Sequence, residues 1–392
     1  MPDSKHSRRS SPVPRPERTR TPIVDQHATW IAVNPVQGCP KSCSYCFLNE
    51  RGQTAVRPDY LVEPGETVDL LTTSEFYAPD RAVALYTWTD VMALPASRSH
   101  LASVLEALAA RQVANPIVLI TKCRVPDATI EAIVAARSRG LQVIVYLSYS
   151  GLDRSIERGI RHDELRENFP RLAAAGIPIV HYWRPVYPES ATPDTMRSVF
   201  EHAATYSRCS VAAGLKVEDA ALARLSGDWP ELATTPGVTE AEGVYPRSFW
   251  DFIHATADAR PAYPLFHTNS CALAHVTGQG DRFGVHGTNV CTNRNNCPPA
   301  QRDRCATTVS LRPALTDDTV AAALSARGID DVAFTLNRAT RTISVDAALT
   351  TNVTAALTHD LAAQVHVTRQ AADPYWASGT AGAVPLVIGE AR

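Results

Sequence analysis

The chain has 392 residues, of which 45% are hydrophobic and 20% charged, and its formal net charge is −2. This composition is typical of a globular protein of two or three domains, and the small net charge gives no global positive field to attract nucleic acid. No apolar run is long enough for a membrane span and the N-terminus lacks the apolar core of a signal peptide, so neither a membrane protein nor a secreted one is expected.

The chain begins with a Pro- and Arg-rich segment without apolar periodicity, which predicts a disordered basic tail over residues 1–25. From Trp30 onward, short apolar strands alternate with amphipathic helices. The predicted strands cover residues 30–33, 82–86, 116–120, 141–147, 177–183 and 209–215. Among the predicted helices are one with the apolar stripe Leu101, Val104, Leu105 and Leu108, one over 128–139, one that runs through Leu172 to Gly176, and one over 193–206. This alternation indicates an α/β fold with a parallel sheet covered by helices, over residues 26–245.

Two further segments follow this α/β core. Residues 246–306 are rich in Gly, Asn, Pro and Cys and are expected to be loop-like. The rest of the chain, residues 307–392, is expected to form a small α+β module. Its predicted helices cover 316–327 and 350–363, and its predicted strands lie near 332–336, 341–345 and 364–368.

Three cysteines stand directly after the first predicted strand: Cys39, Cys43 and Cys46, with the aromatic Tyr45 before the last. A stretch with the spacing C-x3-C-x2-C is too short to supply all four thiolates of an iron–sulfur cube, so it leaves one iron without a protein ligand. An open metal position is where chemistry takes place. The alternatives are a structural zinc site or a fortuitous group of thiols, but zinc needs a fourth ligand nearby and the next cysteine is Cys123.

This motif resembles the signature of radical S-adenosylmethionine (SAM) enzymes, in which SAM chelates the fourth iron of a [4Fe–4S] cluster. The resemblance implies a partial (β/α)6 TIM-like barrel with its chemistry at the carboxyl ends of the strands. It implies reductive cleavage of SAM to methionine and a 5′-deoxyadenosyl radical, which abstracts hydrogen from a substrate. It further implies an external one-electron reductant such as flavodoxin or ferredoxin. The cytoplasm is the expected location, because the cluster is oxygen-sensitive.

Residues at the ends of the predicted strands are candidate SAM ligands: Thr89, Asp90, Lys122, Ser148 and Arg184. Thr89-Asp90 and the Thr-Lys pair at Lys122 resemble segments of the branch that contains spore photoproduct lyase. Asp90 would accept hydrogen bonds from the SAM ammonium, unless Thr89 and Asp90 only cap the next helix. Lys122 would meet a carboxylate or phosphate, or pair with Asp90, and the planar guanidinium of Arg184 suits the SAM carboxylate. Weaker candidates follow the fourth strand: Glu157, Arg158 and Arg161.

The sequence departs from that branch at Thr87, where spore photoproduct lyase carries the cysteine that returns a hydrogen atom to thymine. Because an O–H group is a poor hydrogen-atom donor, thymine-dimer repair by that route is not expected. Cys123 and Cys209 are interpreted as small buried apolar residues, with a place in the active cavity as the alternative for Cys123.

A second group of cysteines lies in the region 246–306: Cys271, Cys291, Cys297 and Cys305. With Pro298 after Cys297, the group indicates one metal site, either a fully ligated auxiliary [4Fe–4S] cluster or a structural zinc. The cluster is favoured, because radical SAM enzymes often carry one after the barrel. Alternative ligands are His267, His275 and His286.

The predicted function is therefore a radical SAM enzyme with an unidentified substrate and no assigned catalytic residue. A nucleobase, a nucleoside or a small metabolite comes first, and a peptide is the alternative, since auxiliary clusters are frequent among peptide-modifying members. Binding to nucleic acid stays open, because the resemblance to the branch of spore photoproduct lyase favours nucleic-acid bases, whereas the small net charge and Thr87 argue against DNA. A rival of another class is a non-catalytic iron–sulfur or zinc protein that serves as a redox sensor or binding module.

Overall fold

Short runs of buried apolar residues form one central sheet. The computed structural model describes residues 17–281, 297–371 and 384–389. The strands of the sheet are β1 (Val24–Gln26), β2 (Ile31–Val33), β3 (Val83–Leu85), β4 (Ile117–Thr121), β5 (Val143–Leu147), β6 (Ile179–Trp183), β7 (Cys209–Ala212) and β8 (Leu265–Phe266). They lie in the sheet in chain order; β1 is antiparallel to β2, and all later pairs are parallel.

Helices cross from strand to strand because parallel neighbours cannot be joined by a tight turn. The helices between the strands are α1 (Pro64–Thr72), α2 (Pro95–Ala110), α3 (Asp127–Ser138), α4 (His162–Ala174), α5 (Pro193–Tyr206), α6 (Asp219–Asp228) and α7 (Arg247–Ala259). Two more helices, α8 (Asn269–Thr277) and α9 (Pro299–Ser310), follow the last strand of this sheet. Short 3-10 turns cover Phe47–Asn49 and Pro230–Ala233. The predicted apolar stripe of α2 is fully buried, with at most 1% exposure. The chain is thus a mixed α/β protein with a largely parallel sheet.

Alternate residues of each strand face the two sides of the sheet. One side packs against the crossover helices and includes Val83, Leu85, Ile117 and Leu119. Residues of the other side, among them Ala84 and Val118, form a second cluster that Cys271 and Cys297 join. Parts of α8 and of the segment before α9 therefore cover the sheet face that the crossover helices leave open.

All six strands predicted for the core are present as β2 to β7, and the predicted helices are present as α2 to α5. The expectation that 246–306 is loop-like is wrong for its described part, which contains α7, β8, α8 and α9. The Gly- and Asn-rich stretch that suggested loops lies largely in residues 282–296, outside the described residues together with His286 and Cys291.

The predicted basic tail ends earlier than expected. Residues 1–16 lie outside the described part of the chain. However, the Thr19 N–H donates to the Arg51 carbonyl at 3.0 Å, and the Thr21 N–H donates to Gln37 Oε1 at 3.0 Å. Because these bonds run through polar groups, apolar periodicity gave no sign of them. The tail prediction is wrong from Thr19 onward.

The predicted α+β module is present after α9. It consists of α10 (Asp317–Ser325), β9 (Phe334–Asn337), β10 (Thr342–Leu349), α11 (Thr351–Leu361) and β11 (Gln364–Gln370). β9 and β10 are antiparallel, whereas β10 and β11 are parallel. Asn352 of α11 donates to Asp25 Oδ2 of β1 at 2.8 Å, and Arg81 pairs with Asp360. The module thereby packs against the β1 edge of the main sheet.

Three short strand pairs complete the described structure: Val36–Gln37 with Asp59–Tyr60, Ser42–Cys43 with Glu157–Arg158, and Val244–Pro246 with Leu386–Ile388. In the described ranges, no helix has the length and apolar character needed to cross a membrane.

Candidate functional site

A cavity of about 480 Å³ opens where the parallel strands end. Its walls come from the residues that follow β3, β4, β5, β6 and β7, and from the loop after β2. In parallel sheets this edge collects the functional groups of several strands. The candidate residues that line the cavity are Cys39, Cys43, Cys46, Thr89, Asp90, Lys122, Ser148 and Arg184.

The cysteine loop is joined directly to the segment after β3. Gly38 has a φ of +102°, a backbone conformation that residues other than glycine rarely adopt. Its N–H donates to the Trp88 carbonyl at 3.0 Å, and its own carbonyl accepts from Thr89 Oγ1 at 2.6 Å. Thr89 therefore holds the start of the cysteine loop in place.

Asn49 organises the rest of this loop. Its Nδ2 group lies within hydrogen-bond distance of the carbonyls of Cys43 (3.0 Å), Ser44 (3.2 Å) and Cys46 (2.8 Å). Its Oδ1 accepts from Thr54 Oγ1 at 2.6 Å. Because the two N–H donors of this amide are shared among three loop carbonyls, Asn49 fixes the backbone that carries two of the cysteines. The sequence reasoning missed Asn49; an amide three residues after the last cysteine was the one available signal.

The three thiols are held in a poorly solvated environment. Removal from water raises the pKa of Cys39, Cys43 and Cys46 to about 12, and the nearby Asp90 carboxylate adds to the rise at Cys39. The thiols are therefore neutral at pH 7, and a metal must displace their protons in order to bind.

Among residues 17–281, 297–371 and 384–389, no group of three or more His, Cys, Asp or Glu side chains is arranged around a single metal ion. In a [4Fe–4S] cluster each thiolate binds a different iron, so the sulfur atoms do not meet at one ion.

Asp90 is fixed to the end of β4. Its carboxylate accepts from Thr121 Oγ1 (2.7 Å), the Lys122 N–H (2.8 Å) and the Met92 N–H (3.1 Å). Helix α2 begins only at Pro95, with no side-chain cap. The alternative that Thr89 and Asp90 cap this helix is therefore wrong.

Lys122 joins the ends of three strands. Its Nζ donates to Glu157 Oε1 (2.8 Å), to the Ser148 carbonyl (3.2 Å) and to the Arg184 carbonyl (3.4 Å). Of the alternatives for this side chain, pairing of the ammonium with Asp90 is wrong, because Asp90 accepts the backbone N–H of Lys122 instead. The ammonium charge is balanced by Glu157.

Glu157 is a fully buried carboxylate at the centre of this network. The pairing of Ser42–Cys43 with Glu157–Arg158 places it beside the cysteine loop. Its Oε1 also accepts from the Tyr45 hydroxyl and from Ser150 Oγ at 3.2 Å. His162 Nε2 lies 3.2 Å from Oε2, and partial burial lowers the pKa of His162 although Glu157 opposes that shift. Glu157 thus links Lys122 to the aromatic residue of the cysteine motif.

The other two weak candidates after β5 are outside the cavity lining. Arg158 is exposed and donates to the Ser155 carbonyl at 3.1 Å. Arg161 is 71% exposed and pairs with Glu164 at 2.9 Å. Both are ordinary surface arginines.

The guanidinium of Arg184 is hydrogen-bonded to the hydroxyl of Tyr182. Its Nη1 donates to Tyr182 Oη at 2.7 Å, and that oxygen also accepts from Asn269 Nδ2 at 3.2 Å. The neighbouring Tyr182 raises the pKa of Arg184, so the guanidinium stays charged. No carboxylate lies within 4 Å of this guanidinium in the described part of the chain. Arg184 is therefore a cation in the cavity wall whose charge the described residues leave uncompensated.

Thr87 and Cys123 occupy the positions that the sequence singled out for hydrogen-atom donation. Thr87 lines the cavity and donates to Asn34 Oδ1 at 3.0 Å. Cys123 lies outside the lining, packs against the apolar core, and has a pKa raised by burial and by Asp90. Cys209 is fully buried, as predicted.

The described cysteines of the second group lie in one region of the fold. Cys271 Sγ is 3.4 Å from Asp281 Oδ2, and the Asp281 N–H is 3.4 Å from Cys305 Sγ. Cys297 packs in the same apolar cluster as Cys271, and Cys291 lies outside the described residues. The sequence reasoning missed Asp281, which is buried between two of the cysteines.

Two of the alternative histidine ligands have other partners. His267 Nδ1 lies 3.1 Å from the Ala212 carbonyl, and its ring stacks on Trp250 with 4.9 Å between the centroids. Burial lowers the pKa of His267 to about 4. His275 packs against Phe266 with 5.8 Å between the ring centroids.

No protein-family model and no curated protein matches the sequence. Among solved structures, the chain is similar to spore photoproduct lyase with a dinucleoside spore photoproduct, with 15% identity, a TM-score of 0.41, and coverage of 55% of this chain and 65% of that chain. It is also similar to SuiB of Streptococcus suis bound to S-adenosylmethionine, with 14% identity, a TM-score of 0.41, and coverage of 62% of this chain and 51% of that chain.

A third similar structure is the cobalamin-dependent S-adenosylmethionine radical enzyme OxsB, with 10% identity, a TM-score of 0.37, and coverage of 72% of this chain and 45% of that chain. The chain spans slightly less than two thirds of the length of the spore photoproduct lyase chain.

Proposed function

We propose that the chain is a radical SAM enzyme. One observation carries the proposal: a single cavity at the carboxyl ends of the strands collects the three motif cysteines and all five candidate SAM ligands. These residues come from five different strand ends and are up to 145 positions apart (Cys39 to Arg184). If the three thiols were grouped by chance, there would be no reason for polar residues from four other strand ends to line the same cavity.

The residues present fit a [4Fe–4S] cluster with three protein ligands. Three thiols share one loop, its backbone is fixed by Gly38 and Asn49, and they face a cavity that has room for a small molecule. When bound, such a cluster supplies one electron to the sulfonium of SAM, so that a C–S bond breaks to give methionine and a 5′-deoxyadenosyl radical that takes a hydrogen atom from the substrate.

The chain's own residues bind and orient SAM in this proposal. Asp90 uses three acceptor positions within the protein, and a carboxylate has about four, which leaves one for the SAM ammonium. Arg184 is the cation for the SAM carboxylate. Lys122 acts as a positioning residue, because its charge is balanced by Glu157 while it holds the strand ends at Ser148 and Arg184.

We infer that the strands β2 to β7 curve into a partial (β/α)6 barrel around this cavity. Their sequential parallel order and crossover helices support that inference. A reducing compartment such as the cytoplasm and an electron donor of the flavodoxin or ferredoxin type belong to the same proposal.

We also propose a second metal site on Cys271, Cys291, Cys297 and Cys305, an auxiliary [4Fe–4S] cluster or a zinc. The two contacts of Asp281 with Cys271 and Cys305 support a common site. Iron and zinc analysis of Cys305→Ser beside Cys43→Ala tests it. Each variant should lose a separate share of the bound metal, and full metal content in Cys305→Ser would contradict the second site.

The candidate substrate classes are a nucleobase or nucleoside, a small metabolite, and a peptide. A non-catalytic iron–sulfur or zinc protein is the rival from another class. It predicts a fully ligated N-terminal site that binds no SAM.

The deciding experiment is anaerobic reconstitution with iron and sulfide, followed by addition of SAM and dithionite. The wild-type protein should form 5′-deoxyadenosine, and Cys43→Ala should not. Cys209→Ala is the matched control, because this buried cysteine lies outside the cavity lining and its loss should leave 5′-deoxyadenosine formation intact. If wild type forms no more 5′-deoxyadenosine than Cys43→Ala, the proposal is wrong.

A further inference from the structure

The lysines of this chain are concentrated in one place. The sequence contains four, Lys5, Lys41, Lys122 and Lys216, against 38 lysines and arginines in all. Lys5 lies outside the described residues, and the other three line the cavity. A chain that uses arginine almost everywhere else therefore places its compact ammonium groups around this cavity.

Part of this positive charge is compensated within the protein. Lys122 pairs with Glu157 at 2.8 Å, and Glu218 of the cavity wall is bound by both terminal nitrogens of Arg51, at 3.0 and 3.2 Å. Three cavity cations, Lys41, Lys216 and Arg184, have no carboxylate within 4 Å in the described part of the chain. Lys41 Nζ donates to the Gly159 carbonyl at 2.7 Å, whereas Lys216 and Arg184 act electrostatically on each other.

Lys216 is held firmly at the end of β7. The loop before it crosses a second chain segment so closely that a Cβ on Gly214 would lie 2.8 Å from the backbone of Gly243. Leu215 and Val244 exchange two backbone hydrogen bonds, at 2.9 and 2.8 Å. Lys216 Nζ donates to the Ala241 carbonyl at 3.0 Å. An ammonium has three donors, so two stay available for a ligand.

The charges around Lys216 come from Arg184, Glu218 and Glu242. Burial is the largest cause that lowers the pKa of Lys216, the neighbouring Arg184 lowers it further, and the two carboxylates oppose the shift. Two cations are thus held near each other in a partly dehydrated wall, an arrangement that an anion between them would stabilise.

SAM alone does not balance these two cations, because it carries a single carboxylate. Glu218 and Glu242 act on Lys216 from beyond 4 Å, so Lys216 still lacks a carboxylate partner at hydrogen-bond distance, and an oxyanion of the substrate can supply one.

We propose that Lys216, with Arg184 beside it, binds an oxyanion of the substrate, a carboxylate or a phosphate group, in this cavity. The proposal rests on the proposed function, since it assigns the other negative charge to SAM. It narrows the substrate class to molecules that carry such a group.

Lysine acylation by sulfosuccinimidyl acetate, read out by peptide mass spectrometry, tests the site in the reconstituted protein. Labelling is measured with and without saturating SAM, in sodium phosphate, sodium acetate or sodium chloride of equal ionic strength. Phosphate or acetate should protect Lys216 relative to chloride, with SAM present as well as absent, while the labelling of Lys5 serves as the internal reference for the reactivity of the reagent. The oxyanion that protects at lower concentration identifies the source, phosphate or carboxylate.

In the absence of SAM, when Arg184 is free to bind the added oxyanion, Arg184→Gln should weaken this protection about tenfold, since a charge-assisted partner is lost. The matched control Arg158→Gln removes an exposed guanidinium outside the lining and should leave protection unchanged. Equal labelling of Lys216 in all three salts would overturn the proposal. Loss of the protection at saturating SAM would also overturn the proposal, because SAM itself would then be the ligand that binds Lys216. Absence of 5′-deoxyadenosine in the same preparation, with protection intact, would refute the proposed function while the oxyanion site stands.

Discussion

The buried pair of Lys122 and Glu157 offers a sharp test of how the cavity wall is held together. The change Glu157→Gln keeps the shape of the side chain but removes its charge. Glu157 is 0% exposed and Lys122 is 16% exposed, so little water can replace the lost carboxylate. The ammonium would keep the carbonyls of Ser148 and Arg184, and the amide oxygen of the new side chain, as hydrogen-bond acceptors, but it would have no carboxylate partner.

The size of the effect follows from this burial. Removing one partner of a buried ion pair costs about 3–5 kcal/mol. Because two carbonyls remain and Lys122 is slightly exposed, we expect a loss of about 2–3 kcal/mol in the free energy of unfolding. Glu164→Gln is the matched control on a nearby surface pair. Its partner Arg161 is 71% exposed, so the loss should stay below about 1 kcal/mol.

Urea denaturation followed by circular dichroism measures both variants. Adding Lys122→Met to Glu157→Gln should recover about 1 kcal/mol or more, since no unpaired buried charge is left. A loss in Glu157→Gln no larger than in Glu164→Gln would refute the reasoning. So would a double variant that is no more stable than Glu157→Gln alone.

Three other expectations are open to direct measurement. Asn49→Ala removes the donor to three loop carbonyls and should lower both the iron bound after reconstitution and 5′-deoxyadenosine formation; values equal to wild type would contradict that role. His181, fully buried with a pKa lowered to about 4, takes up a proton near pH 6.5 when unfolded. The free energy of unfolding should therefore be highest above pH 6.5 and fall by up to ~3 kcal/mol towards pH 4, and His181→Asn should flatten this decline; an unchanged pH profile would contradict it. Gly214→Ala should cost about 1–3 kcal/mol, because its Cβ would lie 2.7 Å from Tyr245 Cε2, whereas Gly227→Ala, with nothing within 4 Å in helix α6, should stabilise by ~0.5–1 kcal/mol; equal effects would be evidence against the close crossing.

The core strands could be predicted because their chemistry is local. Strands buried on both faces appear as continuous apolar runs, as in β4 and β5, and the helices between them show a clear apolar stripe. By contrast, β8 has only two residues, too few for any periodicity. Helix α7 has a clear apolar face, with Phe249 and Ile253 buried and Trp250 and Phe252 packed against the same core. The sequence therefore held the signal for this helix, and the loop expectation came from the Gly- and Asn-rich sequence that follows it.

The residues of the candidate site also differ in how far the sequence could predict them. The three cysteines and the polar residues after each strand were predictable, since their positions follow from spacing and from the edge where parallel strands end. The partnership of Lys122 with Glu157 was not, because it depends on the pairing of Ser42–Cys43 with a strand more than a hundred residues later. The role of Asn49 and the second contact set around Asp281 likewise arise only when distant segments fold together.

The most direct test of an open iron at the cysteine loop is electron paramagnetic resonance of the reduced, reconstituted protein with and without SAM. Binding of SAM to an iron that lacks a protein ligand should change the signal of the cluster on Cys39, Cys43 and Cys46, and Cys43→Ala should abolish that change. A spectrum that SAM leaves unaltered, in a protein with a full complement of iron, would contradict the proposal that this chain is a radical SAM enzyme.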